Sequence, residues 1–289
     1  MEGSSYLSPR DFGRAVGLSE SSVRRWADDG RLRAERTAGG HRRIARAEAV
    51  RFIRESGLAL VRPDLLGFAG AQRGGGQDLL RTAPLLDALG SADAAAARRM
   101  IVAAYLDGAS LASLCDGPIR STLREIGLRW RQGPDAVVHE HRAVDVCLQA
   151  LMEIRSSIPE RAGRPVALGG AVEGDPYLLP SLMAAVVLAE VGFCVLNLGP
   201  HLPSAALMAA VQVHAPALVW RSAAVVGAGR ALAREARSLS GLEIGRRPVL
   251  VVGGRGATAA ELRGAAGLER VDSMAELAGF ARAVLAGPG

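Results

Sequence analysis

Four short apolar runs beyond Arg164 restrict the fold more than any other feature: Val166–Ala171, Phe193–Leu198, Ala217–Trp220 and Val249–Val252. Each is followed by a loop and then by a stretch rich in Ala and Leu with helical spacing. Buried strands alternating with helices specify a doubly wound parallel sheet, whose ligand-facing loops lie at the C-terminal strand ends. This reading assigns residues 161–289 to an α/β domain.

Upstream, residues 78–160 change to helical periodicity. Leu79, Leu80, Leu85, Leu86 and Leu89 recur at helical spacing, and further helices are expected over Ala92–Leu106, Pro118–Trp130 and Pro134–Ile154. Short connectors between them make an antiparallel bundle the simple packing. Between Leu58 and Gln77 the chain has Pro63, Gly67, Gly70 and the run Arg73-Gly74-Gly75-Gly76, with no periodicity, so residues 58–77 read as a flexible linker.

Residues 1–57 form a third module, and charge sets it apart. Residues 1–62 hold 13 Arg against 8 acidic residues, a net of +5, whereas the remaining 227 hold 22 against 21, a net of +1. A basic module on a near-neutral body is the electrostatic footprint of a polyanion-binding domain. Every basic residue is Arg, a bias to which no function is attached.

Local signals in this module are explicit. Ser8-Pro9-Arg10-Asp11 is a capping box, with Ser8 as N-cap and Pro9 at the first helical position. A helix from Pro9 to about Val16 should turn at Gly17, with Leu18 plugging the core. Ser19 then caps a second helix ending at Gly30. Two short helices around a glycine turn read as a helix-turn-helix, with Ser21, Ser22, Arg24 and Arg25 outward and Val23 and Trp26 inward. Arg31–Arg36 and His41–Ile44, joined by Thr37-Ala38-Gly39-Gly40, read as a basic hairpin wing, followed by a helix from Ala45 to Ser56.

Cys115, Cys147 and Cys194 are odd in number, widely spaced and in apolar surroundings, so buried thiols of a reducing cytoplasm are expected rather than disulfides or a metal site. No apolar run has membrane length and the N-terminus lacks an export signal, so a cytoplasmic protein without membrane contact is expected. His139, His201 and His214 have no partner at metal spacing, and His41 is expected in packing or phosphate contact.

The segment from Tyr6 to about Arg54, with its VRRW…G and TAGGHRRI stretches, resembles the DNA-binding domain of MerR-family regulators. The resemblance implies that the second helix enters the major groove of double-stranded DNA through Ser21, Ser22, Arg24 and Arg25. It also implies that Arg36, Gly40, His41, Arg42 and Arg43 of the wing serve the flanking phosphates.

A bundle followed by a doubly wound sheet resembles the layout of the CarH-like cobalamin-binding regulators. Trp130, nine residues and Glu140-His141 match that family's Trp-x9-Glu-His motif, which implies a place above the corrin; apart from the family, Trp130 would read as core and the other two as solvated. Leu198-Gly199 with Pro203, Ser222, and Gly253-Gly254 are similar to its loops after strands two, three and four. Asp175-Pro176-Tyr177-Leu178-Leu179-Pro180 stands where the family has Asp-x-His-x-x-Gly. Tyr177 therefore replaces the imidazole implied as the lower cobalt ligand, and Arg131 replaces a second one beside the tryptophan. His201 is left as the spare candidate for an axial group.

Three readings of the pocket stay open: another tetrapyrrole such as a haem on Tyr177, cobalamin without a protein ligand below, or no cofactor. The expected function is that of a DNA-binding transcription regulator whose bundle and α/β domain sense a ligand or light, or drive homo-oligomerisation. Its alternative is a constitutive regulator with a vestigial assembly domain. A cobalamin-dependent enzyme component is a third class, and the missing axial His and the absence of a visible nucleophile–base pair count against it.

Overall fold

The computed structural model describes residues 5–68, 70–71, 82–90, 93–129, 134–160, 163–242, 247–258, 262 and 267–287. The chain divides into two compact units, Met1–Pro159 and Glu160–Gly289.

The first unit opens with a small α/β region: β1 (Tyr6–Leu7), α1 (Pro9–Val16), α2 (Glu20–Asp28), β2 (Glu35–Arg36), β3 (Arg42–Ala45) and α3 (Arg46–Ser56). The cap chemistry read from the sequence is present. Ser8 Oγ accepts from the Asp11 amide at 3.1 Å and donates to Asp11 Oδ2 at 2.7 Å. Ser19 Oγ accepts from the Ser22 amide at 3.2 Å. Gly17 takes a left-handed φ of 70° that ends α1. Phe12, Val23, Leu32, Ile44 and Ile53 are fully buried, and Trp26 leans on Phe52 with ring centroids 5.0 Å apart.

Leu18 corrects the expectation of a core plug, because its side chain is 41% exposed. The turn is sealed by backbone instead: a Cβ on Gly13 would lie 2.7 Å from the Leu18 carbonyl oxygen. The first hairpin strand is also shorter than expected. Leu32 turns into the core, its amide donating to Trp26 O at 3.0 Å, and the Arg33 amide donates to Glu48 Oε1 at 3.0 Å. Only Glu35–Arg36 then pairs with β3, which bonds β1 on its other side to complete the order β1-β3-β2.

Residues after α3 differ from the expected tether as far as they are described. The Val61 and Arg62 amides both donate to Ala15 O, at 2.8 and 3.0 Å, and a short 3-10 turn follows over Pro63–Leu66. Leu60, Leu66, Phe68 and Ala71 are buried. Apolar side chains at this spacing carry no period, but they are buried, and the turn over Pro63–Leu66 packs on α1; residues 72–77 lie outside the described residues.

The bundle comprises α4 (Thr82–Gly90), α5 (Ala94–Leu106), α6 (Leu111–Leu114), α7 (Arg120–Arg129) and α8 (Pro134–Ser156). A π turn over Cys115–Ile119 joins α6 to α7 without a break. Pro118, expected to begin a helix, lies inside that turn, where the wider ring accommodates a residue without an N–H. Ile101, Leu106, Leu111, Leu114, Ile119, Cys147, Leu151 and Ile154 fill the interior. Burial pushes the Cys147 thiol up to about 12. Arg54 of α3 lies over the Tyr105 ring, 3.6 Å from its centroid, and donates to the carbonyls of Tyr105 and Ala109, so the small α/β region and the bundle share one body.

The second unit is a parallel sheet of order β5-β4-β6-β7-β8, formed by β4 (Val166–Ala171), β5 (Cys194–Asn197), β6 (Leu218–Ser222), β7 (Val249–Gly253) and β8 (Leu268–Val271). Its helices are α9 (Leu178–Val191), α10 (Ser204–His214), α11 (Gly229–Ser240) and α12 (Met274–Ala286). Leu168, Val219, Leu250 and Val252 pack with Leu207, Val211, Leu232 and Leu239 on the α10–α11 face. The other face lies under α9 and α12. The fifth strand was not expected, since Glu269 and Arg270 interrupt its apolar pattern. Among the described residues no helix is long and apolar enough to cross a membrane.

Gly13→Ala should destabilise the α1–α2 turn by about 1–3 kcal/mol, because the backbone it meets cannot retreat. Gly279→Ala, on an exposed stretch of α12 with open space around it, should be neutral or gain up to about 1 kcal/mol. Hydrogen exchange across residues 9–28 checks the first, and urea unfolding checks the second.

Candidate nucleic-acid face and sheet-edge site

In the first unit the charged residues picked from sequence gather on α2 and the β2–β3 hairpin. Ser21, Arg24 and Arg25 are exposed on α2 and Ser22 is half-buried, its hydroxyl 3.0 Å from Ser19 Oγ. Arg24 donates twice to Glu20 Oε1, at 2.9 and 2.6 Å. In the hairpin, Arg42 pairs with Asp28 at the end of α2, which ties hairpin to helix. Arg43 donates to Glu35 Oε2 at 3.0 and 2.8 Å and stacks 4.1 Å from the Tyr6 ring centroid. Gly40, with φ 78°, turns the hairpin beside exposed His41. Arg25 and Arg36 are exposed and make no ion pair among the described residues.

The acidic partners Asp28 and Glu35 were missed in the sequence, because pairing across a fold has no fixed spacing, whereas Glu20 stands four residues before Arg24 on one helix, a spacing that signals the pair. Such exposed pairs are worth about 0–1 kcal/mol, so a phosphate can displace the carboxylate at little cost. The surface can therefore offer its arginines to a polyanion.

In the second unit the loops after β4, β5, β6 and β7 meet at the C-terminal edge of the sheet, and one residue, Asp175, joins three of them through its carboxylate and its carbonyl. Asp175 is buried. Its Oδ1 accepts from the Tyr177 amide at 3.0 Å and its Oδ2 from the Ala224 amide at 2.5 Å. Its carbonyl accepts from the His201 amide at 3.0 Å, and His201 holds a left-handed φ of 50°. Gly199, with φ 80°, donates to Asn197 Oδ1 at 3.1 Å. Gly254 follows Gly253 with φ 107°, and a Cβ there would lie 2.3 Å from Ala223 O. Ser222 is buried between Ala171 and Gly253, and among the described residues its hydroxyl has no hydrogen-bond partner. Tyr177 is 50% exposed, and His201 is exposed beside it on the same edge.

Two buried networks under this edge escaped the sequence reading. Arg221 donates to Ala171 O at 3.3 Å, Leu202 O at 2.9 Å and Glu235 Oε1 at 3.0 Å, and Ser204 Oγ donates to the same carboxylate oxygen at 2.6 Å. Burial lowers the Arg221 pKa despite Glu235. On the opposite face Trp220 Nε1 donates to Ser181 Oγ at 3.2 Å, which donates to Asn197 Oδ1 at 3.0 Å. An arginine inside the run Leu218–Ser222 was the available signal for the first network, since a charge in a strand buried on both faces requires a partner.

The remaining candidates lie elsewhere. Glu140 and His141 are exposed on α8 of the first unit. Trp130 and Arg131 lie outside the described residues.

The sheet edge does not fit cobalamin held through a lower imidazole. Tyr177 stands in place of the histidine, and Asp175, which would orient such a ring, spends both oxygens on backbone amides. Helix α9 already begins at Leu178 and runs through Pro180, so the loop that should end in glycine is helical. The Trp220 indole lies against Gly169, where a Cβ would come within 2.5 Å of the ring, and fills the face under α9. Among the described residues no group of three His, Cys, Asp or Glu side chains could hold a metal ion.

Residues 82–154 match the family model described as B12 binding domain. No curated protein matches the chain. The monomethylamine corrinoid protein of Methanosarcina barkeri has a similar structure, with 14% identity and a TM-score of 0.54, over 71% of this chain and 98% of that one. The methanol:cobalamin methyltransferase complex MtaBC of the same organism aligns over 73% of this chain and 81% of the other, at 17% identity and a TM-score of 0.39. A cobalamin-binding protein of Desulfitobacterium hafniense DCB-2 aligns over 69% and 96%, at 14% identity and a TM-score of 0.38. The chain thus carries a region matching a B12 binding domain, within the bundle-and-sheet fold of a corrinoid protein. Hydroxocobalamin mixed with the protein should keep its free-solution absorption spectrum, and Tyr177→His alone should not change this, since Asp175 is already committed. A shifted corrin band with either protein would overturn the misfit.

Proposed function

We propose that the chain is a DNA-binding transcription regulator, not an enzyme, whose bundle and α/β unit control DNA occupancy by bringing copies together. The observation that carries the reading is the juxtaposition of α2 and the β2–β3 hairpin, joined through Asp28 and Arg42, with Arg24, Arg25, Arg36 and Arg43 exposed or half-exposed around them. Most of the net charge of the chain lies in this region. The pairing of helix and hairpin supports the finer reading of a winged helix-turn-helix of MerR type, in which α2 enters the major groove and the hairpin meets the phosphates. A module this small holds an operator weakly by itself, so linked copies gain affinity through effective concentration.

The match of residues 82–154 to a B12 binding domain favours a second reading of the body. In it the bundle takes a planar tetrapyrrole as the signal, against the α8 surface bearing Glu140 and His141. Ligand occupancy would then shift the assembly equilibrium in proportion to its differential affinity for the two states. The absorption spectrum of the protein purified from its native host separates the readings: a visible band that changes with His141→Ala supports the tetrapyrrole, and a colourless protein supports assembly without it.

The DNA reading is tested by fluorescence anisotropy of a labelled duplex across a salt series. Arg25→Ala and Arg36→Ala should each weaken binding and reduce the magnitude of the log K against log salt slope by about 1. Arg42→Ala should weaken binding further, because it also frees the hairpin from α2. Unchanged slopes in all three would overturn the assignment.

A further inference from the structure

The two edges of the five-stranded sheet are finished differently. Edge strand β8 carries Glu269 and Arg270, and Arg270 is held by Asp272 and by Ala257 O at 3.0 Å, a pattern that discourages strand addition. Edge strand β5 reads Cys-Val-Leu-Asn, has β4 as its single neighbour among the described residues and bears no charge. The Cys194 and Leu198 amides bond toward β4, through Pro165 O and Gly169 O. By the two-residue alternation of a strand, the N–H and C=O groups of Val195 and Asn197 point outward.

The absence of charge extends well past the strand. From Val191 through Trp220 the chain contains no Asp, Glu, Arg or Lys, in a sequence that is 22% charged. This stretch includes α10, whose exposed residues are Ala205, Ala206, Ala209, Gln212, Val213 and His214, with Val213 77% exposed. Helix α10 packs on β4 and on α11, which makes it the outermost helix of its face on the β5 side.

We propose that β5 and α10 form a self-association surface, on which β5 pairs antiparallel with β5 of a second copy and α10 lies beside its counterpart. A second copy is the occupant the chemistry selects. An open strand edge is satisfied by another strand edge, and near a two-fold axis each residue meets itself, which a charged side chain would oppose and an uncharged one does not. On a chain of net charge +6, this surface approaches its copy without ionic repulsion. The four-residue strand spans only about 13 Å, and a specific interface needs about 800 Å² per partner, so the uncharged face of α10, with Ala205, Ala209, Gln212 and Val213, supplies the remaining area. The proposal deepens the assembly half of the proposed function and is independent of its DNA half.

Sedimentation velocity of the intact protein without DNA should reveal a species of twice the 30.0 kDa chain mass. Ala209→Arg and Val213→Glu, both on exposed positions that spare the fold, should each weaken dimerisation at least tenfold with unchanged circular dichroism. Mixing the Ala209→Arg and Ala209→Glu proteins should restore a dimer. Exchange of the Val195 and Asn197 amides should slow as protein concentration rises. A wild-type chain that stays monomeric at all concentrations, or a dimer that withstands both substitutions, would overturn the surface. Loss of DNA binding alone would leave every one of these results in place and would count only against the DNA reading.

Discussion

The carboxylate of Asp175 is the constraint on which the C-terminal edge of the sheet depends. A buried carboxylate is tolerable only when its oxygens accept hydrogen bonds, and each charge-assisted bond contributes about 1.5–3 kcal/mol. Here the acceptors are filled by amides of the loops after β4 and β6, while the residue's own carbonyl holds the loop after β5. Three loops that are remote in sequence become one rigid edge. The same commitment removes Asp175 from ligand chemistry.

Beneath that edge, Arg221 and Glu235 act in the same sense from the α10–α11 side. An ion pair this deep costs more in lost hydration than a surface pair returns, and it persists because carbonyls of Ala171 and Leu202 and the hydroxyl of Ser204 share the charges. The strand ends are therefore fastened from both faces: Arg221 to the start of α10, and Trp220 through Ser181 to Asn197. A scaffold fastened in this way suits a surface presented to another protein copy more than a slot that must open for a large ligand tail.

In the first unit, packing replaces what would otherwise be a tether. Val61 and Arg62 donate to a carbonyl of α1, and Arg54 lies between the Tyr105 ring and two carbonyls of the bundle. The Arg54 contacts join α3 directly to the bundle.

Features set by local chemistry were legible in the sequence by itself. Ser8 and Ser19 cap their helices because a side-chain oxygen finds an amide three residues on, Gly17 and Gly40 adopt positive φ where a turn demands it, and four apolar runs became strands, three of them largely buried and the edge strand β5 half-buried. The charge asymmetry was equally plain, since it needs only counting. What the tertiary structure alone decided were relations between distant residues: Asp28 with Arg42, Asp175 with Ala224, Arg221 with Glu235, and the packing of the Pro63–Leu66 turn on α1. Strands β1 and β8 belong there too, because two residues, or a pattern broken by Glu269 and Arg270, become a strand only when a neighbour supplies the hydrogen bonds. Leu18 faces outward for the same reason: the close approach of its backbone to Gly13 was settled by packing, and no local periodicity encodes it.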